Sequence, residues 1–275
     1  MLVLLSDISA DNDNAPRWVI SDEERDILRL KPSAWLESTS GVVSSGGKVS
    51  AVRDKTGKTT WKHTATNPPM IKMYNDIPVL NFGRAVSNSG ALLAEGGYQA
   101  IPADGIYSLF TLYRIPVENT EGYTGVGGNI AGNNEAAGEW LRVRFGSDSY
   151  QGNAIFLNHG GVAVTGTDNY PINTSLAGWR DAKWHINTIQ AGADFHRWEI
   201  DGALLQETSF PAKPFPTEAS RQLVIGGACN PLSHGFQGDI AAVLLLPGEL
   251  RDGAKTLIYD RLNTMKAALT GSSGA

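Results

Sequence analysis

Gly235-Phe236-Gln237-Gly238-Asp239-Ile240-Ala241-Ala242-Val243-Leu244-Leu245-Leu246 decides the fold. A glycine turn feeds an apolar run of strand length. A run without polar alternation predicts a strand covered on both faces. The segment that follows, Arg251 to Leu269, has helical spacing. It places Leu257, Ile258, Arg261, Leu262 and Met265 on one face, which must dock somewhere. The opening of the chain mirrors this order. Ser21 is a good N-cap, and Asp22, Glu23 and Glu24 complement the dipole of a first helical turn. Ser21 and Glu24 make a capping box, and the helix should stop before Pro32.

Short strands and turns fill the space between. Val79-Leu80-Asn81-Phe82, Ile106 to Arg114, Trp140 to Phe145, Ala154 to Leu157, Lys183 to Ile189 and Leu223 to Gly227 all read as strands, several with half-buried alternation. Arg197 to Leu205 reads as a hairpin turning on Asp201-Gly202. The pattern predicts an all-β fold. The expected architecture is a two-sheet antiparallel sandwich with a short N-terminal helix and a C-terminal helix, one domain over residues 18–270. Residues 1–17 read as an N-terminal arm, because Asp11-Asn12-Asp13-Asn14-Ala15-Pro16 opposes regular structure. Residues 271–275 read as a disordered tail.

Composition excludes several classes. Charged residues make up 19% of the 275 and the net charge is -5, with no basic stripe to neutralise phosphates, so nucleic acid is not an expected partner. With one cysteine, Cys229, no intrachain disulfide forms and stability must come from the core. No apolar run is long enough to cross a bilayer, and Met1 to Leu5 is too short for a signal segment.

A family likeness rests on particular residues. Ala34-Trp35-Leu36-Glu37, Ser45-Gly46-Gly47-Lys48-Val49-Ser50, Arg53-Asp54-Lys55-Thr56-Gly57 and Pro78 to Phe82 resemble the N-terminal half of concanavalin A-like (laminin-G-like) jelly rolls. Trp198-Glu199-Ile200-Asp201-Gly202 looks like their Asp-Gly hairpin, and Phe236 to Val243 resembles their closing strand. The likeness covers about residues 30–270. It departs from the pattern at Glu37 (often Asp), Val52 (often Trp) and Ala242 (usually Glu). Such domains occur in bacterial surface proteins and in phage tail and virion proteins. The resemblance speaks to fold more than to function.

Sugar binding on such a sandwich needs an aromatic for the pyranose face and amides or carboxylates for hydroxyls. Three stretches carry that chemistry: Asn129, Asn133 and Asn134 beside Trp140; Asp168 with Tyr170; and Asn230 with His234. The competing reading is that Asn and Gly simply build turns. The acidic stretch from Asp11 to Pro16 is similar to the calcium linker of cadherins. It lacks the domains that would complete the ligand set, so a flexible arm outranks a Ca²⁺ site and no other cofactor is expected. The related β-glucanases carry Glu-x-Asp-x-x-Glu on one strand. Here Glu199-Ile200-Asp201 is followed by Gly202-Ala203-Leu204, so the second acid is missing and no enzyme is expected. The five histidines show no metal spacing, and His185 reads as a packing or surface position beside Trp184.

These readings lead to a non-enzymatic phage virion component, on capsid or tail. Its arm would join other virion subunits, and its lectin-like sandwich would attach to a surface. The alternative is a free-standing carbohydrate-binding module or adhesin, located outside the cell or at its surface, with a cell-surface glycan as ligand. A homo-oligomer is expected of the virion reading.

Overall fold

A computed structural model describes residues 20–63, 68–83, 90–116, 128–133, 141–145, 155–159, 162–163, 181–209, 211–227 and 235–271. Helix α1 spans Asp22–Arg29. Among the described residues it is followed by β1 (Ala34–Glu37), β2 (Val42–Ser45), β3 (Lys48–Arg53), β4 (Thr60–His63), β5 (Met70–Tyr74) and β6 (Ile77–Phe82). Next come β7 (Leu92–Ala94), β8 (Tyr107–Arg114), β9 (Gly128–Asn133), β10 (Leu141–Phe145), β11 (Ile155–His159) and β12 (Val162–Ala163). The chain closes with β13 (Trp184–Ala191), β14 (His196–Ile200), β15 (Ala203–Thr208), β16 (Leu223–Ile225), β17 (Gly238–Pro247) and helix α2 (Asp252–Thr270).

Antiparallel pairing sorts the strands into two sheets. One runs β15-β14-β13-β8-β17, with β1 and β6 sharing the far edge of β17 and β5 outside β6. The other runs β12-β11-β10-β9-β16-β7-β4-β3-β2. One pair, Lys48 with Met70, joins them at a corner. Between the sheets lies the main core. Leu36, Leu109, Ile189, Trp198 and Val243 of the first sheet meet Val52, Trp61, Leu92, Ile130 and Ile225 of the second. This is the all-β sandwich that the sequence predicts.

A second core covers the other face of the first sheet. Trp35, Phe110, Leu112, Ile186, Leu244 and Leu246 pack under Ile27 of α1 and Ile258, Leu262, Met265 and Leu269 of α2. The four α2 residues recur at helical spacing and form one stripe. The apolar run of β17 is therefore buried on both sides, as expected. Its pairing with β8 slips between Ile240 and Ala242. The extra residue of this bulge lets Ala241 and Ala242 both face the helices, after which Val243 and Leu245 point inward and Leu244 and Leu246 outward. Gly238 starts the strand because nothing larger fits: a β-carbon there would stand 2.5 Å from the Arg114 carbonyl oxygen.

Local signals in the sequence also hold. The capping box forms, with Ser21 Oγ accepting from the Glu24 amide at 3.1 Å and Glu24 Oε2 accepting from the Ser21 amide at 3.2 Å. The hairpin turn has φ of 52° at Asp201 and 77° at Gly202. Two positive angles are what a type I′ turn requires.

Charge fixes the register of α2 on the sheet. The Arg261 guanidinium grips Glu37 of β1 with two parallel bonds, Nε to Oε1 at 3.0 Å and Nη2 to Oε2 at 2.7 Å. The indole of Trp35 donates to Glu37 Oε1 at 3.0 Å, and Lys55 donates to Oε2 at 2.9 Å. Lys55 also pairs with Glu24 of α1, and its ammonium lies 4.5 Å from the Trp35 ring centre. Arg261 reaches Glu23 and Glu24 as well, both at 3.3 Å. Burial pushes the Glu37 carboxyl up, but Arg261 and Lys55 outweigh it and hold the group below the usual range.

Two outcomes test this layer. Leu262→Ala should cost about 2–5 kcal/mol in urea unfolding, because it opens a cavity under α2. Glu37→Gln should cost about 3 kcal/mol at pH 7, because it removes the fully buried carboxylate that Arg261 and Lys55 share and leaves them only the more exposed Glu23 and Glu24. Glu37 titrates lower folded than unfolded. Its contribution is therefore complete above the unfolded value of about 4.3 and is lost as pH falls through the folded value. The difference between wild type and variant should close in acid.

Candidate functional site

Strand direction gathers polar groups at one end of the sandwich. β6 and β8 finish there with Asn81 and Arg114, β13 begins there after Asp181, and β17 begins there with Asp239. β9 begins and β10 and β16 finish at the same end. Four connections outside the described residues, 84–89, 117–127, 146–154 and 228–234, leave and rejoin strands there. A sandwich presents variable chain at its ends, which makes this end the candidate site.

The described groups at this end form two networks. In the first, Asp239 is fully buried at the outer face of the sheet. Its Oδ1 accepts from Asn81 Nδ2 at 2.6 Å, and its Oδ2 accepts from the Tyr74 hydroxyl at 2.6 Å and Arg114 Nη1 at 3.1 Å. Arg114 Nη1 also donates to the Tyr74 oxygen at 2.8 Å, and its Nε donates to the Ala182 carbonyl at 2.8 Å. The Tyr74 ring stands edge-on to Trp184, with centres 5.3 Å apart. Burial, and then the Asp239 charge, push the Tyr74 hydroxyl well above its ordinary range, so it serves as a donor and not as a nucleophile. One arginine thus ties the ends of β8 and β17, the end of β5 and the turn before β13.

The second network centres on His185, whose ring lies on the inner face against Tyr113, with centres 5.9 Å apart. His185 Nδ1 meets Asp201 Oδ2 at 2.7 Å, and Nε2 meets Asp181 Oδ1 at 3.0 Å. Asp201, the residue of the hairpin turn, also accepts from the Ile186 amide at 2.9 Å and from Lys266 of α2 at 2.7 Å. His185 is therefore buried in an ionic cluster and is not a surface position. Burial raises both carboxyls, but His185 outweighs it. Asp201 is drawn down to about 2 and Asp181 also lies below its ordinary value.

Most of the sugar-binding candidates are not among the described residues. Asn134, Trp140, Asp168, Tyr170, Asn230 and His234 lie outside the described residues. Asn129 and Asn133 both sit on β9, opposite Arg144 and Leu223 respectively, the first near its start and the second at its end. Four residues of strand separate them by about 13 Å. The segment holding Asn134 and Trp140 runs from Asn133 to Leu141 and so joins strands at the opposite end from Arg114. The segment holding Asn230 and His234 joins β16 to β17 at the Arg114 end. The anchor points thus do not bring the two sets together. Among the described residues, no group of three or more His, Cys, Asp or Glu side chains could hold a metal ion. No helix there is long and apolar enough to cross a membrane.

Arg114, Asp239 and His185 were not among the sequence candidates. The signal was present: a charge at the end of an otherwise apolar strand needs a partner when the strand is buried.

No protein-family model matches the chain, and no curated protein matches it. Solved structures do. One is domain 4 of AbnA, a GH43 extracellular arabinanase from Geobacillus stearothermophilus, in complex with arabinotriose, with 13% identity, 82% of this chain and 97% of that chain covered, and a TM-score of 0.51. A GH54 α-L-arabinofuranosidase gives 11% identity over 88% of this chain and 65% of that one, with a TM-score of 0.58. Trypanosoma rangeli sialidase gives 11% identity over 83% of this chain, with a TM-score of 0.53, and this chain spans 33% of its length. The fold is a β-sandwich shared with carbohydrate-active proteins. At such identities the likeness speaks for the fold alone.

Asp239→Ala should cost about 3–5 kcal/mol in urea unfolding, because it removes the buried carboxylate to which Arg114, Tyr74 and Asn81 all donate. The paired change Asp239→Leu with Arg114→Met should cost less than the single one.

Proposed function

We propose that this chain is a non-enzymatic carbohydrate-recognition domain that binds sugar at the Arg114 end of the sandwich. The observation that carries the reading is the convergence of four connections on strand ends held rigid by Arg114 and His185. A preorganised rim lowers the ordering cost of binding a flexible sugar. The likeness to a domain seen with arabinotriose supports a polyhydroxylated ligand. Asn230 and His234 belong to one of the converging connections and supply amide and imidazole groups.

Glycoside hydrolysis is the second reading, favoured by the hydrolase neighbours. It needs one carboxylic acid held protonated near neutrality. Among the described residues at this end, Asp181 and Asp201 are both held in the opposite direction, so neither is such an acid. The arm of residues 1–17 lies outside the described residues. A virion or cell-surface setting, with the arm joining other subunits, is part of the same proposal.

The test is a glycan panel that includes arabino-oligosaccharides and sialylated glycans, read by calorimetry, with and without Ca²⁺. Saturable binding is expected, weakened about tenfold by Asn230→Ala or His234→Ala, an effect of about 1.4 kcal/mol. Trp140→Ala, anchored at the other end, should leave it unchanged. Absence of binding would overturn the reading, and release of sugar during the assay would make the protein an enzyme.

A further inference from the structure

His185 faces two carboxylates at once, and that geometry constrains its protonation. A neutral imidazole has one N–H and one lone pair, so it can donate to one acceptor. Here both ring nitrogens meet carboxylate oxygens, Asp201 at 2.7 Å and Asp181 at 3.0 Å. Neither carboxylate, drawn below its ordinary value, is available to supply the missing proton. Both contacts are satisfied by the imidazolium and not by the neutral ring. The groups around it are Asp181 and Lys183 from the turn before β13, Asp201 from the β14–β15 turn, Lys266 from α2 and Tyr113 from β8.

We propose that His185 is a pH-sensitive latch that closes the turn before β13 when protonated and releases Asp181 when the proton leaves. The two carboxylates are held unequally, which sets the order of opening. Asp201 keeps the Ile186 amide at 2.9 Å and the Lys266 ammonium at 2.7 Å when the ring is neutral. Asp181 keeps the Lys183 amide at 2.9 Å and a Lys183 ammonium at 3.2 Å whose side chain is 75% exposed. An exposed pair of that kind holds little. The neutral ring therefore keeps its one N–H on Asp201 through Nδ1 and turns its Nε2 lone pair on Asp181, which moves away. Ala182 stands between them with a φ of 61°, a left-handed angle that alanine adopts at a cost. The Arg114 bond to its carbonyl and the latch both hold that turn in place.

Burial lowers the His185 proton affinity, but Asp201 and Asp181 outweigh it and the net direction is upward. The latch is therefore fully closed below the unfolded value of about 6.5 and is lost as pH rises through the folded value. The latch lies at the end proposed to bind sugar, but its test is read on the protein without sugar, so its failure is distinguishable from failure of the proposed function.

The test is an NMR pH titration of the full chain, following the His185 ring nitrogens and the amides of Lys183 and Ile186. At pH 6 both ring nitrogens should carry protons. The Lys183 amide should shift with the same midpoint as the ring, while the Ile186 amide stays protected. Asp181→Asn should lower that midpoint by about 1 pH unit and uncouple Lys183 from it. His185→Gln should abolish the Lys183 titration. A neutral ring at pH 6, a Lys183 amide that ignores the titration, or an Ile186 amide that opens first would each overturn the latch.

Discussion

Everything in this molecule is arranged around a strand that has no solvent face. β17 touches the inter-sheet core with one set of side chains and the helical layer with the other. Its backbone donors and acceptors can be satisfied only in the sheet plane, which is why both edges are paired: β8 on one side, β1 and β6 end to end on the other. An unpaired group there would cost as much as a lost buried hydrogen bond. The bulge at Ala241 follows from the same demand. Strict alternation would aim a side chain of fixed spacing at the wrong layer, and one extra small residue resets the phase.

The two cores and the charges divide the work. Apolar area supplies the stability of the α2 layer, each buried Leu or Ile being worth roughly 1.5–3 kcal/mol. Buried ion pairs add little net stability, because desolvation offsets attraction. They add geometry instead. A stripe of aliphatic residues can slide along a flat sheet, whereas a guanidinium that forks onto Glu37 fits one position and one rotation. The same logic applies at the strand ends, where Arg114 binds groups from β5, β17 and the turn before β13.

Much of this was legible in the sequence, and the reasons are local. The capping box at Ser21, the Asp201-Gly202 turn and the unbroken apolar run of β17 each carry their conformation within a few residues. The expected face of α2 was nearly right, with Leu262 and Met265 buried and Arg261 beside them as the clamp. The networks were not legible, because their partners are far apart in the chain. Asp239 meets Tyr74 across 165 positions and Arg261 meets Glu37 across 224. Sequence spacing tells nothing about such pairs, although a lone charge beside a buried strand announces that one exists. His185 was read as a surface or packing residue for the same reason: its neighbours on β13 are apolar, and both its acids come from turns.

The placement of polarity also explains how the fold can serve recognition. The charges that hold α2 run along the outer face from Arg261 on Glu37 to Lys266 on Asp201, which belongs to the network at the strand ends. The groups at those ends, Arg114 and Asp239 above all, are consumed by one another and turn their bonding inward. On the proposed reading, a ligand would meet strand ends whose described polar groups already have partners. The sandwich itself is shared at 11–13% identity with proteins of different named activities, as a fold set by its core rather than by one site can be.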